Sequence, residues 1–150
     1  MGNVFVFMKY RKGVFIVTYR RVGDNIEYLI LRRKLHWRGW EFPKGGVELF
    51  ETKKMAVKRE IKEETGLKIL NLKKLNVSGK YEYEKMLKDR KGIVGQDFVL
   101  YAVEISGEKI IFDKKEHSSF KWLKFGEAKK RLTWSNQKSC LKIVNDFLKE

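Results

Sequence analysis

A single cysteine, Cys140, rules out an intrachain disulfide, and two histidines are too few for a zinc site built on Cys/His spacing. One proline, Pro43, and no Gly- or Pro-rich stretch leave no place for a linker, and no repeat or low-complexity run interrupts the 150 residues. A single domain over 1–150 is expected. Near the start, the longest apolar run, Val4 to Met8, is too short for a signal peptide or a membrane span. Met1-Gly2 opens as an N-myristoylation site does, but Val6 stands where Ser or Thr is required. These absences point to a reducing, cytoplasmic setting and no membrane partner. Acidic residues are also scarce: 19 against 34 basic ones, a formal charge of +15. That excess favours polyanionic partners. The 43% hydrophobic content can bury a core, so wholesale disorder is not expected.

The charge is uneven. Residues 1–44 carry ten bases and three acids, whereas 45–67 balance five against five. Periodicity predicts strands over Val4–Tyr10, Val14–Tyr19 and Glu27–Arg33, with a turn at Asp24-Asn25. Thr52 to Thr65 reads as a helix capped by Thr52 and stopped by Gly66. Further strands are predicted over Lys68–Val77, Tyr81–Met86, Asp97–Glu104, Ile110–Phe112 and Phe120–Leu123, then helices over Phe125–Leu132 and Asn136–Leu148. Helices early and late around mixed strands suggest an α/β fold whose sheet is covered on both faces.

On the helix Thr52–Thr65, with Glu60 at the origin, Glu64 falls at about 40° and Glu63 at about 300°. Three carboxylates therefore share a third of the circumference, while Lys54, Lys58 and Lys62 form a separate strip. An ordinary solvated face would interleave the signs. Here Glu60/Glu64 and Lys58/Lys62 are like-charge pairs at i,i+4, each costing a few tenths of about 1 kcal/mol. Crowded carboxylates suit a hard divalent cation such as Mg²⁺, which takes oxygen ligands and shares them with substrate phosphates.

The spacing is more specific. Gly45, five residues, Glu51, seven residues, then Arg59-Glu60-Ile61-Lys62-Glu63-Glu64-Thr65-Gly66-Leu67 matches GX5EX7REUXEEXGU at every fixed position. That is the Nudix box, and the chain resembles Nudix hydrolases. The resemblance implies an α/β/α sandwich with a mixed sheet and hydrolysis of nucleoside diphosphates linked to another moiety, with Mg²⁺ or Mn²⁺. It implies metal ligation by Glu60, Glu63, Glu64 and the backbone carbonyl of Lys44, with Arg59 orienting the carboxylates through Glu51. Gly45 reads as a tight loop before the helix and Gly66 as a left-handed stop after it. Phe50 departs from the family, which often has glycine there.

Upstream, Trp40-Glu41-Phe42-Pro43-Lys44-Gly45-Gly46 resembles the W-x-x-P-K-G segment of diadenosine tetraphosphate hydrolases and of RNA 5′-end pyrophosphohydrolases. Lys44 would there reach substrate phosphate as a point charge. Downstream, Glu116-His117-Ser118-Ser119-Phe120-Lys121-Trp122-Leu123 resembles the E-H-x-x-Y/F-x-W-L segment of the asymmetrical bis(5′-nucleosyl)-tetraphosphatases. In that comparison Glu116 is the distant carboxylate that completes the metal site or takes a proton from water. The alternative is a loop acid paired with Lys114 or Lys115.

Tyr83 lies near where these hydrolases carry a base-stacking tyrosine, and Tyr81 is the alternative. His117 is a candidate for phosphate contact, beside the reading of a locally hydrogen-bonded surface histidine. Trp37, Trp40 and Trp134 could stack a base or pack at the rim. Glu63, Glu116, Arg59 and Lys44 are thus the catalytic candidates. The leading reading is a hydrolase converting diadenosine tetraphosphate to ATP and AMP. The second is an RNA 5′-end pyrophosphohydrolase, which the +15 charge would suit. A non-catalytic Nudix-fold module is disfavoured, because every box carboxylate is present. Oligomeric state stays open.

Overall fold

Val14–Tyr19 is apolar at nearly every position, the mark of a strand covered on both faces, and the fold is built on it. The computed structural model describes residues 9–85, 87–107 and 109–150. The chain runs β1 (Lys9–Arg11), β2 (Gly13–Val22), β3 (Asn25–Arg33), β4 (Gly39–Glu41), β5 (Lys44–Gly46), α1 (Lys53–Thr65), β6 (Ile69–Glu82), β7 (Ile93–Ile105), β8 (His117–Leu123), α2 (Phe125–Arg131) and α3 (Ser135–Leu148). The eight strands form one mixed sheet. β7 lies between β1 and β2, parallel to both, and the other pairings are antiparallel.

Alternation along β2 divides the core. Val14 and Ile16 pack with Ala56, Val57 and Ile61 of α1. Phe15, Val17 and Tyr19 face the other way, onto Ala128, Leu132, Cys140, Leu141 and Val144 of α2 and α3. The result is an α/β/α sandwich, as expected. Phe15 stacks on Phe98 with ring centroids 3.9 Å apart and meets Phe42 edge-on at 5.3 Å. No described helix is long and apolar enough to cross a membrane.

The helix bounded by Thr52 and Gly66 forms as its termini dictate. Thr52 Oγ1 accepts the Met55 N–H at 3.1 Å, and Gly66, at φ 68°, donates its N–H to the Lys62 carbonyl. Several expectations differ. The strand predicted from Val4 lies outside the described residues up to Met8, as does the Met86 end of the Tyr81–Met86 strand. The strands predicted over Lys68–Val77 and from Tyr81 merge, from Ile69 to Glu82, into one long strand, β6, whose register against β7 shifts between Lys74 and Ser78. Ile110–Phe112 is not a strand. Ile110 is buried in the α1-side core, and the Ile111 N–H donates to the carbonyl of Thr65, the last residue of α1. β4 and β5, three residues each, are too short to show a period in sequence.

Phe50 occupies the third position of a turn closed by the Glu51 N–H on the Glu48 carbonyl at 3.0 Å. Its φ is 64° and its side chain is 93% exposed. A positive φ at that turn position is where glycine is favoured, which accounts for the family's usual residue there. Phe50→Gly should therefore leave the melting temperature unchanged or raise it, the removed left-handed penalty of about 1 kcal/mol being partly offset by a more flexible unfolded chain. Gly66→Ala should do the opposite, losing about 1 kcal/mol, or roughly 3 °C, because φ stays positive and the new Cβ comes within 3.3 Å of Ile111 Cβ. Thermal melts of the two variants side by side check both signs.

Candidate active site

The box residues come together through Arg59. Its Nε and Nη2 grip both oxygens of Glu51 at 2.8 and 3.0 Å, and Nη2 also donates to the Gly46 carbonyl at 2.8 Å. Nη1 donates to Glu60 Oε1 at 2.8 Å and reaches Glu63 Oε2 at 3.4 Å. One guanidinium thus ties the loop, the end of β5 and two glutamates of α1. The Arg59 hydrogen bonds hold the Glu51 carboxyl down at about 2, against some burial. Glu60 is the reverse: burial dominates and pushes its carboxyl up to about 8, opposed by Arg59 and reinforced by Glu63 and Glu116.

Gly45 does not make a tight loop, as its spacing suggested. It lies in β5 opposite Val14, directly against Glu60: a Cβ there would fall 2.1 Å from Glu60 Oε1. Glycine is required for close approach of a carboxylate, not for a turn. Gly66 is the left-handed stop.

A second network lies beneath the first. His117 is 2% exposed. Its Nε2 is 2.8 Å from Glu41 Oε2, and its Nδ1 is 2.9 Å from Glu64 Oε2. The latter contact lies off the hydrogen-bonding direction, so Glu64 Oε2 and His117 Nδ1 have no aligned partner. Neither the surface position nor the phosphate contact considered for His117 fits, since both ring nitrogens face buried carboxylates. Burial would lower its pKa, but Glu41 and Glu64 more than offset that and raise it to about 9. Glu41, itself buried, is desolvated yet held down at about 2 by Lys44, His117 and Arg33. Glu64 is raised by burial, with His117 opposing.

Lys44 Nζ sits 3.6 Å from Glu41 Oε1 and donates to the Tyr81 hydroxyl at 3.1 Å. Burial disfavours its charge, but Glu41 raises the pKa above the usual lysine value. Glu116 pairs with Arg33 Nη1 at 3.6 Å rather than with Lys114 or Lys115. Arg33 also bonds Glu41 at 3.2 Å, so it bridges the two acids. Glu41 and Arg33 were not singled out from the sequence, although Glu41 lies in the W-x-x-P-K-G segment.

These groups open onto a cleft of about 820 Å³. Lys44, Gly45, Glu60, Tyr81, Tyr83 and Glu116 line it. Tyr81 and Tyr83 meet edge-on, ring centroids 6.1 Å apart, and Arg90 donates to the Tyr83 hydroxyl at 2.9 Å. Trp37 and Trp134, also on the cleft wall, meet edge-on at 5.2 Å. Lys44 Nζ lies between the pairs, 5.9 Å from the Trp37 ring and 5.3 Å from Tyr81. Trp40 instead packs against the α2/α3 side of the core.

The donor set suits a hard divalent cation. Ligand atoms of Glu64, Glu116 and His117 lie within 4.8 Å of one another, and Glu64 brings an orphaned buried oxygen to that group. Glu60 and Glu63 stand on the adjoining side, turned toward Arg59, with Glu63 half exposed.

Comparison with known proteins agrees with this geometry. Residues 9–142 match the NUDIX domain. An RNA pyrophosphohydrolase from Nitratiruptor sp. is 28% identical over 148 residues, covering 95% of this chain and 96% of the relative. One from Stenotrophomonas maltophilia is 28% identical across 77% of this chain. This chain spans 60% of that relative's length, and 37% of the length of one from Zymomonas mobilis. Among solved structures, a C. elegans Ap4A hydrolase binary complex superposes with a TM-score of 0.74 at 25% identity, covering 92% of this chain and 97% of the other. With the box in place and residues 9–142 of the 150 matching the domain, the chain belongs to the Nudix family.

Proposed function

We propose that this protein is a pyrophosphohydrolase of nucleoside polyphosphates that works with Mg²⁺, Mn²⁺ being able to replace it. The observation that carries the reading is the juxtaposition of Arg59-held carboxylates, part-buried Lys44 and paired aromatics around one cleft. Glu60, Glu63, Glu64 and Glu116, with the Lys44 carbonyl, are the groups that would hold the cation. A divalent cation there supplies positive charge to the polyphosphate and acidifies water.

The chain's own groups do the rest. Lys44, kept cationic by Glu41, is placed to bind a phosphate oxygen as charge develops on it. Tyr81 fixes that ammonium through its hydroxyl and, with Tyr83, offers a ring for a base. Glu116 and Glu63 are accessible enough to take a proton from the attacking water, whereas Glu60 and Glu64 are buried. His117 and Glu41 hold Glu64 from behind.

Two substrates fit. A dinucleoside tetraphosphate suits aromatic pairs on both sides of Lys44, one for each base, and the likeness to the C. elegans Ap4A hydrolase supports it. A 5′-triphosphate RNA end suits the cationic wall of Arg11, Lys80, Lys85 and Arg90, and the RNA pyrophosphohydrolase relatives support that.

Glu64→Gln and Glu63→Gln should each lower kcat by at least two orders of magnitude, since each 1.36 kcal/mol of lost transition-state stabilisation is tenfold. Mn²⁺ titration followed by electron paramagnetic resonance should show weaker binding in Glu64→Gln. Near-wild-type turnover of both variants at saturating Mg²⁺ would remove the metal-site reading. Gly45→Ala should also cripple turnover while retaining most of the melting temperature, because the added methyl collides with Glu60.

Glu116→Gln should lower kcat strongly and leave thermal stability nearly unchanged, because the buried Arg33 keeps Glu41 as its ion-pair partner at 3.2 Å. An unaltered kcat would return Glu116 to a purely structural partner of Arg33.

For the dinucleotide reading, diadenosine tetraphosphate in ¹⁸O-water should give ATP and AMP with label in only one product, and two ADP molecules would refute it. Tyr83→Ala should raise KM more than it lowers kcat, because stacking is present in ground and transition states alike. If Tyr81→Ala does so instead, the stacking residue is Tyr81.

A further inference from the structure

We propose that Arg11 and Arg90 form a binding site for the terminal phosphate of a polyphosphate chain, so that the cleft prefers 5′-triphosphate ends to dinucleoside polyphosphates. This rests on the pyrophosphohydrolase reading of the same cleft and names its substrate class.

Arg11 ends β1 and lies flat against Gly46 of β5: a Cβ at Gly46 would fall 2.1 Å from Arg11 Nε and 2.2 Å from its Cζ. A glycine here admits a guanidinium as Gly45, beside it, admits the Glu60 carboxylate. Arg90 reaches the same wall from the segment between β6 and β7, its Nη1 on the Tyr83 hydroxyl and its Cζ 5.7 Å from the Tyr83 ring. Both arginines line the cleft with Lys44 and Lys80.

The two guanidiniums feel each other's charge. The Arg11 pKa is lowered first by burial and next by Arg90, with weaker opposition from Tyr83 and Glu60. Among the described residues neither guanidinium has a carboxylate within ion-pairing distance. Of the acids lining the cleft, Glu60 is held by Arg59, Glu116 by Arg33 and Glu82 by the Tyr10 hydroxyl, while Glu84 is exposed and makes no ion pair with either arginine. Two partly buried like charges with no carboxylate within ion-pairing distance repel each other, and an anion lying between them is stabilised by both.

The chemistry of the anion follows. A terminal phosphate offers three free oxygens and, near neutral pH, close to two negative charges, its second pKa being about 6. An internal phosphate of a bridged chain has two free oxygens and one charge. Two planar guanidinium forks match the former, each able to engage two oxygens. Arg11 is close enough to Glu60 to be stabilised by it, so a phosphate held there adjoins the cation-binding carboxylates. The terminal group would sit on the arginines while the next phosphoanhydride bond faces the carboxylates and Lys44. A dinucleoside polyphosphate has no such terminus.

The test separates this site from catalysis. Inorganic tripolyphosphate is titrated calorimetrically into the full chain in EDTA at about 0.15 M salt, where long-range attraction to the +15 surface is screened. Arg11→Gln and Arg90→Gln should each weaken binding at least tenfold, and Lys130→Gln, exposed on α2, less than twofold. The double variant should lose less than the product of the two, since both arginines grip one group. Because Arg90 lies in a connecting segment, its variant remains informative if Arg11→Gln fails to fold. Losses no larger than that of Lys130→Gln would overturn the site. With Mg²⁺, Arg90→Gln should lower kcat/KM for triphosphate-ended RNA at least tenfold more than for diadenosine tetraphosphate, and an equal fall on both would overturn the preference. Comparing that RNA with ATP identifies the source of the terminus, and either result keeps the proposal. A protein that turns over neither substrate, yet loses tripolyphosphate binding in the variants, would sink the hydrolase reading and retain the site.

Discussion

Everything at the mouth of the cleft depends on where one guanidinium points. Arg59 must satisfy Glu51, the Gly46 carbonyl, Glu60 and Glu63 together, and it can because its donors lie in a rigid plane. A lysine could neutralise the same acids but could not grip both oxygens of Glu51 while holding a strand carbonyl. Without that fork, Glu60 and Glu63 would repel each other and the turn at Glu48–Glu51 would lose its anchor to α1. The helix alone gains nothing from such crowding. The like-charge pairs that weaken it in isolation become tolerable once an arginine from the same helix and a glycine from the adjoining strand accommodate Glu60.

The deeper network follows a different constraint, the cost of burying charge. Glu41, Glu64 and His117 are nearly inaccessible, and an isolated ion in that setting would lose its charge. Glu41 keeps its charge because Lys44, His117 and Arg33 converge on it from three elements, β5, β8 and β3. Glu64 is less well compensated, with an oxygen facing His117 off axis. That imbalance marks the end of the chain where additional positive charge would be stabilising. The other end, Lys44, is fixed against Tyr81 in the cleft. One buried acid thus positions both the Lys44 ammonium and, through a histidine, an oxygen of the carboxylate group.

Much of this was legible in sequence, for reasons that differ by element. α1 was readable because its cap, its left-handed stop and its carboxylate face are local features. Glu51, Arg59, Glu60, Glu63 and Glu64 follow from fixed spacing, and Arg59 does bridge to Glu51. The misreadings arose where tertiary contact decides. Nothing local distinguishes His117 from a surface histidine, since its burial depends on Glu41, 76 residues away, and on Glu64. Gly45 looks like a turn glycine until Glu60 is placed beside it. Ile110–Phe112 is a short apolar run, as a buried strand would be, yet its backbone bonds the end of α1 and its Ile110 side chain fills the core. Arg11 and Arg90, 79 positions apart in sequence, line one cleft in a fold where β1 pairs with β7, which no local pattern reveals.

Phe50 shows how the site tolerates a residue that local rules disfavour. Its left-handed backbone costs of order 1 kcal/mol, and its exposed ring recovers none of that by burial. The turn is nevertheless fixed twice over: the Glu51 N–H closes on the Glu48 carbonyl, and the Glu48 N–H returns to Glu51 Oε1 at 3.0 Å. Glu51 is itself clamped by Arg59, so relaxing Phe50 would require breaking a bidentate ion pair and a backbone turn together. The strain of one residue is small beside that cost, and the turn keeps its shape without the usual glycine. By the same reasoning, the guanidinium that orders the carboxylates also secures the loop that leads into them, so loop geometry and carboxylate placement are one structural constraint.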